Sequence, residues 1–193
     1  AILGSNGSGK TTIALMLAGA LTPSTGQILI DGQPFDRQRH RGFIGYVFQE
    51  PVNQMVTMTV ADELAFGPQQ LGWEKEAVAQ AVAQQLERYD LAADDIPLHL
   101  SPAGARKLAI AATLTMNPSM IILDEPKTQH LMGHLKELQA EGATVVVITH
   151  DVDVACQFAN RVMVMAQGNI LVDGPTRQVM ARPEILARSD VIP

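Results

Sequence analysis

The spacing of apolar residues along this chain changes twice. In the first 50 residues, short apolar runs bounded by glycine and proline predict strands over residues 27–30 and 42–48. The chain begins with a short apolar run. Before the first of these strands, apolar positions at helical spacing predict a helix over about residues 11–20. This opening segment therefore mixes strand and helix.

Residues 51–117 show mainly helical spacing. Val78, Val82, Leu86 and Tyr89 fall at i, i+4, i+8 and i+11, which places them on one face of a helix. We expect that face to be buried by ordinary core packing.

Wholly apolar runs return at residues 120–123 and 143–149. Continuous runs of this length are typical of strands covered on both faces, as in a parallel sheet flanked by helices. Gly168 and Asn169 separate two further apolar runs within residues 161–172, which predicts a hairpin. The fold class predicted is α/β, with a core of about residues 1–50 and 118–193 and an inserted helical subdomain of about 51–117.

Composition narrows the class of protein. With 193 residues, 47% hydrophobic and 18% charged, the chain is long enough for one folded domain. Its net charge of −6 gives no electrostatic support for nucleic acid as a partner. No run approaches the roughly 18 apolar residues that cross a bilayer, and the first residues do not resemble a signal peptide. The single cysteine, Cys156, suits a reducing compartment, and we expect it to be a small packing residue.

The first chemical motif fills a strand–turn–helix position. It satisfies G-x-x-x-x-G-K-[ST] with the residues Gly4, Ser5, Asn6, Gly7, Ser8, Gly9, Lys10 and Thr11. Glycines let the backbone curl so that its N–H groups face phosphate oxygens, and the following helix adds its positive end. This pattern predicts nucleotide binding: Lys10 would reach the β- and γ-phosphates and Thr11 would ligate Mg²⁺, with Thr12 the next contact.

A pair of carboxylates follows the apolar strand at residues 120–123. Carboxyl ends of parallel strands face the ligand crevice, so Asp124 would hold Mg²⁺ beside Thr11. Glu125 would orient and polarise the attacking water, which meets the need of phosphoryl transfer for positioning. Without the phosphate loop, the pair would be equally well explained as a solvated strand end.

Two more polar residues end predicted strands. His150 follows the strand at 143–149 and would contact the γ-phosphate and the water, although such a histidine by itself is more often structural. Gln49 follows the strand at 42–48 and would reach the metal or its water. A lone glutamine at a strand end is normally polar surface.

Taken in order, these elements resemble the ABC ATPase family. The residues that carry the resemblance are Gly4 to Thr11 (Walker A), Gln49 (Q-loop), Leu100 and Ser101 (signature), Leu123 to Pro126 (Walker B) and Thr149 to Asp151 (switch histidine). The resemblance implies a RecA-like core with a helical subdomain, ATP and Mg²⁺ as cofactors, and a head-to-tail dimer. ATP would then lie between one subunit's Walker A loop and Ser101 of the other.

A narrower resemblance lies just beyond Gln49. Phe48-Gln49-Glu50-Pro51, Asn53-Gln54 and the segment 59–68 look like the ATPases of energy-coupling factor transporters and cobalt importers. Those transporters import vitamins or transition-metal ions. The resemblance implies that the chain is peripheral to the cytoplasmic face of the membrane and that a transmembrane subunit docks in this region. The alternative is that Val56, Met58, Val60, Leu64 and Phe66 pack inside the helical subdomain.

The signature departs from the family pattern. It reads Leu100-Ser101-Pro102-Ala103-Gly104, where the family usually has Leu-Ser-Gly-Gly-Gln. Ser101 followed by Pro102 is still a favourable helix start, but proline removes an N–H and Ala103 adds a β-carbon. We expect a poor phosphate contact and slow turnover at the site that this loop completes.

Two further departures concern segments. The family's interface aspartate has no counterpart in residues 127–131, so that loop is either deleted or missing from the sequence. The chain also begins at the strand that enters the phosphate loop. The family's N-terminal strands, with the aromatic residue that stacks on adenine, are therefore expected to be absent.

Transport is the function that the resemblance favours, and three alternatives remain. A catalytically weak regulatory half of a heterodimer would explain the altered signature. An ABC ATPase of DNA repair or translation would usually carry coiled-coil insertions, basic arms or tandem domains, which this chain lacks. A small-molecule kinase would need neither the signature nor His150.

Overall fold

The computed structural model describes residues 1–126, 131–189 and 191. The chain divides into two compact units: the first is Ala1–Phe35 with Ile122–Pro193, and the second is Asp36–Ile121. The division into a core and a helical subdomain at about residues 51 and 117 stays a prediction.

The first unit is built on a mostly parallel sheet. Its strands are β1 (Ile2–Leu3), β5 (Met120–Asp124), β6 (Thr144–Thr149), β7 (Arg161–Ala166) and β8 (Asn169–Pro175). They lie in the order β5-β6-β1-β7-β8, with β5 entering from the second unit. β1 pairs in parallel with β6 and β7, whereas β8 runs antiparallel to β7. A separate antiparallel pair consists of β2 (Leu29–Ile30) and β3 (Gln33–Pro34).

Burial explains the apolar runs. Leu3, Ile122, Ile148, Val162 and Val164 have no exposed surface, which matches strands covered on both faces. The helices of this unit are α1 (Lys10–Leu17), α5 (Leu131–Ala140), α6 (Val152–Phe158), α7 (Thr176–Met180) and α8 (Pro183–Arg188). The α/β prediction is confirmed.

Helix α1 ends earlier than the predicted residue 20. Gly19 adopts a φ of 74°, and its N–H donates to the Met16 carbonyl oxygen at 3.0 Å. Ala20 N–H turns back to the Leu15 carbonyl oxygen at 2.9 Å. A glycine in the left-handed region closes a helix in this way because it carries no Cβ.

The predicted hairpin is β7–β8, but its turn lies one residue earlier than expected. Gln167 (φ 49°) and Gly168 (φ 75°) form the turn, while Asn169 already pairs with Ala166. Two consecutive positive φ angles are typical of the type I′ turn, whose twist fits the flanking strands. At the other end of the hairpin, the two-pronged Arg161 hydrogen bond holds the pKa of the Asp173 carboxyl below its usual value.

The second unit is mainly helical. It contains β4 (Ile44–Val47), then α2 (Val60–Gln70), α3 (Lys75–Tyr89) and α4 (Pro102–Leu114). Short 3₁₀ turns cover Pro51–Gln54 and Pro97–His99. The α3 stripe is confirmed at its two ends, because Val78 and Tyr89 are buried, whereas Val82 and Leu86 are half-buried.

Side-chain caps start two of these helices. The Thr59 hydroxyl accepts the Asp62 N–H at 3.1 Å, and the Ser101 hydroxyl accepts the Gly104 N–H at 3.1 Å. The helix start expected at Ser101 and Pro102 is therefore confirmed.

Three further expectations concern Cys156, the segment after Pro126 and membrane-spanning helices. Cys156 is exposed on α6, so the packing role expected for it is wrong. The segment 127–130, where the interface aspartate was expected to be missing, lies outside the described residues. In the part of the chain that the structure describes, no helix combines the length and apolarity needed to cross a bilayer.

Burial on α2 predicts how much a truncated side chain lowers the stability of the protein. Leu64 has no exposed surface, so Leu64→Ala should lower the free energy of unfolding by about 2–5 kcal/mol. Urea denaturation measures the loss. Phe66→Ala on the same helix is the control: its side chain is larger but 43% exposed, and it should cost clearly less. Equal losses in the two variants would contradict this account of the core.

Candidate functional site

Three neighbouring strands deliver polar residues to one edge of the first unit. Leu3 of β1 pairs with Thr149 of β6, so the residues that follow them, Gly4 and His150, leave the sheet side by side. β5 neighbours β6, and the Glu125 N–H donates to the Ile148 carbonyl oxygen at 2.9 Å. The phosphate loop and the acidic pair predicted from the sequence therefore meet at this edge.

The loop needs glycine for two different reasons. Gly7 and Gly9 adopt φ angles of 81° and 98°, a region that side chains with a Cβ disfavour. Gly4 has no positive φ but no space either, because an added Cβ would lie 2.4 Å from the Met165 carbonyl oxygen. Backbone conformation and close packing on β7 together produce the curl.

Lys10 is the first residue of α1 and is only 5% exposed. Its Nζ donates to the carbonyl oxygens of Gly4 at 2.8 Å and Ser5 at 2.9 Å. Burying an ammonium group is costly unless it is hydrogen-bonded, and the loop supplies those bonds itself. The positive charge is thus held against the loop, at the positive end of the α1 dipole.

Thr11 and Asp124 come together across the site. The Thr11 hydroxyl donates to Asp124 Oδ2 at 2.9 Å, and the carboxylate is 6% exposed. A hydroxyl beside a carboxylate offers the hard oxygen ligands that Mg²⁺ prefers, with phosphate and water completing the shell. Among the described residues no group of three His, Cys, Asp or Glu side chains could hold a metal by itself. The pair fits a magnesium ion that arrives with a nucleotide.

Glu125 and His150 form a second contact. His150 Nδ1 lies 2.8 Å from Glu125 Oε2, the histidine side chain being 63% exposed and the glutamate 11%. Glu125 has a φ of 48°, a strained value of the kind found at functional sites. Its other oxygen, Oε1, is buried and has no hydrogen-bond partner among the described residues. A buried carboxylate oxygen of this kind has capacity for one more donor.

The remaining predicted site residues are distributed as follows. Ser5, Asn6, Ser8 and Thr12 belong to the loop and the first turn of α1. Gln49, after β4, and Ser101, at the start of α4, are exposed residues of the second unit. Their roles stay predictions.

Sequence reasoning missed the supports of this site. Met165 and Gly168 of the hairpin contact the loop, and the Thr149 hydroxyl accepts the Asp151 N–H at 3.0 Å. Asp151 then caps α6 by accepting the Asp153 N–H at 2.8 Å and the Val154 N–H at 3.2 Å. An Asx-type pattern could have indicated the cap, but no sequence signal links residues 160 positions apart.

With a phosphate-loop motif, an acidic strand end and a strand-end histidine at one sheet edge, the class defined is a P-loop nucleotide-binding fold. The ABC transporter family matches residues 1–128, and the chain belongs to that family.

Several relatives carry names that describe ATP-binding components. The energy-coupling factor transporter ATP-binding protein EcfA of Methanothermobacter thermautotrophicus is 35% identical over 99% of this chain and 66% of its own length. The EcfA protein of Methanocaldococcus jannaschii is 35% identical over 98% of the chain and 73% of its own length. A Methanosarcina acetivorans protein, whose name includes the words ABC transporter ATP-binding protein, is 38% identical over the whole chain, which spans 33% of that protein.

Solved structures show the same fold. CbiO1 from Clostridium perfringens, described as part of the ABC transporter complex cbiONQ, superposes with a TM-score of 0.82 at 32% identity. The alignment covers 98% of this chain and 82% of that one. The ATP-binding cassette MJ0796, in a dimeric state bound to ADP and Pi, has a TM-score of 0.78 at 28% identity, covering 91% and 84%.

The close approach of Gly4 to β7 can be tested. In Gly4→Ala the new Cβ would meet the Met165 carbonyl oxygen at 2.4 Å, and a strand backbone cannot yield easily. We expect a loss of about 1–3 kcal/mol in unfolding free energy, measured by urea denaturation. Gly174→Ala is the control, because its Cβ would make an ordinary 3.7 Å contact with Val179. If both variants unfold like the parent, the loop does not pack as described.

Proposed function

We propose that the chain binds ATP with Mg²⁺ at residues 4–12 and hydrolyses it as one subunit of an ABC transporter. The observation that carries the proposal is the convergence of Lys10, Thr11 and Asp124 at one edge of the sheet. A buried cation and a hydroxyl–carboxylate pair are the groups needed for the triphosphate and for its metal ion.

Binding would begin at the loop. N–H groups of the loop and of the first turn of α1 would donate to phosphate oxygens, and the helix dipole adds positive potential there. Lys10 would exchange its hydrogen bonds to the Gly4 and Ser5 carbonyl oxygens for phosphate oxygens. Gly7 and Gly9 allow the main chain to approach the phosphates closely.

Magnesium would be held by Thr11 and Asp124, with Gln49 as a further ligand to the ion or its water. The bound ion would neutralise charge on the β- and γ-phosphates. Because Asp124 already orients the Thr11 hydroxyl, the metal site needs little rearrangement.

Hydrolysis would be carried by Glu125 and His150. Glu125 Oε1, buried and without a partner among the described residues, would accept a hydrogen bond from the attacking water. His150, held through Nδ1 by Glu125 Oε2, would lie beside the γ-phosphate and help to position that water. Phosphoryl transfer depends mainly on such positioning and on charge neutralisation.

A dimer would complete each site. The dimeric state of the similar cassette bound to ADP and Pi supports a dimer. The arrangement proposed is a head-to-tail pair in which Ser101 of one subunit would face the nucleotide of the other. The second subunit would be a further copy or a related ABC ATPase. No nucleic-acid partner is proposed.

The membrane partner would dock just beyond Gln49. Two of the residues expected either to dock or to pack, Val60 and Leu64, are buried, whereas Val56, Met58 and Phe66 are exposed. Glu63, 6% exposed, accepts hydrogen bonds from the N–H groups of Val56 at 3.0 Å and Thr57 at 2.9 Å. This carboxylate holds an apolar segment at the surface, which suits a transmembrane transporter subunit and a peripheral location on the cytoplasmic face.

The cargo proposed is a vitamin or a transition-metal ion. Support comes from the energy-coupling factor names of two relatives and from the likeness to cbiO1.

The altered signature supports a second candidate, a slow or regulatory half of a heterodimer. In the first turn of α4, Pro102 has no N–H and the Gly104 N–H is taken by the Ser101 hydroxyl. Ala105 N–H bonds to the Ser101 carbonyl oxygen at 2.8 Å. Within the described residues, this leaves the Ala103 N–H for a phosphate.

The core of the proposal is tested with two variants. Lys10→Ala should abolish detectable MgATP binding by calorimetry, because a phosphate-binding cation is lost. Glu125→Gln should retain binding but reduce ATPase activity at least 100-fold, since the general-base contribution is typically 10²–10⁴-fold. Lys75→Ala, in the second unit, is a charge-matched control that should leave both readouts unchanged.

Co-purification of the complete protein from membranes tests the partner. A bound membrane protein supports transport, whereas a soluble protein that carries nucleic acid would favour the alternative ABC ATPases of DNA repair or translation. ATP binding that survives Lys10→Ala unchanged would end the proposal.

The altered signature segment leads to a prediction about the ATPase rate. Replacing Pro102-Ala103-Gly104 by Gly-Gly-Gln restores the N–H at position 102, removes the Cβ at position 103 and should raise the steady-state ATPase rate several-fold. Thermal denaturation checks that the variant folds like the parent. An unchanged rate would remove the idea that this loop limits turnover.

A further inference from the structure

The turn of the β7–β8 hairpin contacts the phosphate loop directly. The Gly168 N–H donates to the Ser8 carbonyl oxygen at 3.0 Å, across 160 residues of sequence. An added Cβ at Gly9 would lie 3.6 Å from the Gly168 Cα, so the two glycines lie close together. The hairpin therefore supports the loop through main-chain atoms.

This hydrogen bond also orients the N–H at the other end of the same peptide unit. The Ser8 carbonyl and the Gly9 N–H belong to the same peptide unit, and the structure contains no cis peptide bonds among its described residues. In a planar trans unit the C=O and N–H groups point in opposite directions. By holding the Ser8 oxygen toward the hairpin, the Gly168 N–H directs the Gly9 N–H to the opposite side, away from the hairpin.

Without that bond, the loop would lose this restraint. Gly9 has a φ of 98° and its neighbour Gly7 a φ of 81°, and glycine residues rotate between wells with little steric cost. A peptide unit beside such a residue can turn its N–H out of the cradle. The cost of ordering it would then fall on ligand binding.

The turn itself is rigid enough to act as a support. Gln167 and Gly168 are held in the type I′ conformation, and Asn169 Nδ2 donates to the Gln167 carbonyl oxygen at 3.0 Å. Met165, 3% exposed, anchors the preceding strand and also packs against Gly4 through its carbonyl oxygen. The hairpin thus contacts the loop near its start, at Gly4, and near its end, at Ser8.

We infer that Gly168 is a positioning residue for nucleotide binding, which pre-orients the Gly9 N–H toward the phosphates through the Ser8 carbonyl. The inference rests on the proposed function, because the ligand it serves is the triphosphate. Glycine is required at 168 for its φ of 75° and not for space, since an added Cβ would meet nothing within 4 Å.

The test compares substitutions at two glycines of the same kind. Gly168→Val forces a β-branched residue into positive φ, which disturbs the turn and its N–H. Gly142→Val is the matched control: Gly142 has a φ of 94° and open space, and it lies in the turn after α5. Gly168→Asn should retain the affinity of the parent, because asparagine tolerates positive φ and so keeps the N–H of residue 168 in its orientation.

Calorimetry with MgATP should show the Kd of Gly168→Val raised about 2- to 10-fold, the range for one backbone hydrogen bond. Gly142→Val and Gly168→Asn should stay within about twofold of the parent, as befits intact loop support. The melting temperatures of the two valine variants show whether their stability losses are alike. Equal Kd changes in both valine variants would mean a general stability effect and would overturn the inference.

A second readout does not need the nucleotide. The ¹⁵N order parameter of the Gly9 N–H should be near 0.85 in the parent and fall below about 0.6 in Gly168→Val alone. If the parent binds MgATP and Gly168→Val matches it in both readouts, the inference fails while the proposed function stands. If the parent does not bind MgATP, the proposed function fails, and the order parameter still decides whether the hairpin orients the loop.

Discussion

The buried ammonium group of Lys10 is the interaction on which the site depends. A cation that is 5% exposed must be hydrogen-bonded, and the nearest acceptors are the carbonyl oxygens of Gly4 and Ser5. Turning those oxygens toward the lysine bends the loop back on the start of α1. That bend requires positive φ at Gly7 and Gly9 and close packing of Gly4 on β7. Glycine spacing, the start of α1 and the packing of Gly4 on β7 together allow this charge to be buried.

The sheet brings the loop and the polar strand-end residues to the same site. β1 delivers the loop, while β5 and β6 deliver Asp124, Glu125 and His150 to the same edge. Apolar side chains such as Leu3, Ile122 and Ile148 bury these strands, and the polar residues lie at or just beyond the strand ends. The order of the strands therefore gathers these side chains at one edge, and the proposed phosphoryl transfer depends on such positioning.

The two units divide the proposed tasks. The first holds the loop, the acidic pair and His150, whereas the second holds Gln49, the Ser101 cap and the exposed apolar residues Val56 and Met58. Most of the residues proposed for chemistry thus lie in the first unit, with Gln49 and Ser101 in the second, and the surface proposed for the membrane partner lies in the second unit. A transport ATPase needs such a division, since the energy of a local reaction must be passed to another protein.

The sequence by itself determined the elements whose causes are local. Glycine spacing with Lys10 and Thr11 predicted the loop, apolar runs predicted β5 and β6, and Ser101 before Pro102 predicted the start of α4. It could not predict boundaries that depend on a left-handed glycine, such as Gly19 at the end of α1, nor the shift of the hairpin turn to Gln167 and Gly168. It also misplaced Cys156, because burial of a helix face depends on its neighbours.

Contacts between distant segments were decided by the tertiary structure alone. The hydrogen bond from Gly168 to Ser8 and the packing of Gly4 against Met165 have no trace in spacing or composition. The sequence placed Glu125 and His150 at strand ends near the same water, but their direct contact was decided by the fold. Strand order brings these residues together, and strand order depends on long-range pairing that local patterns do not encode. The chemistry of the site is thus readable in the chain, whereas its support is a property of the fold.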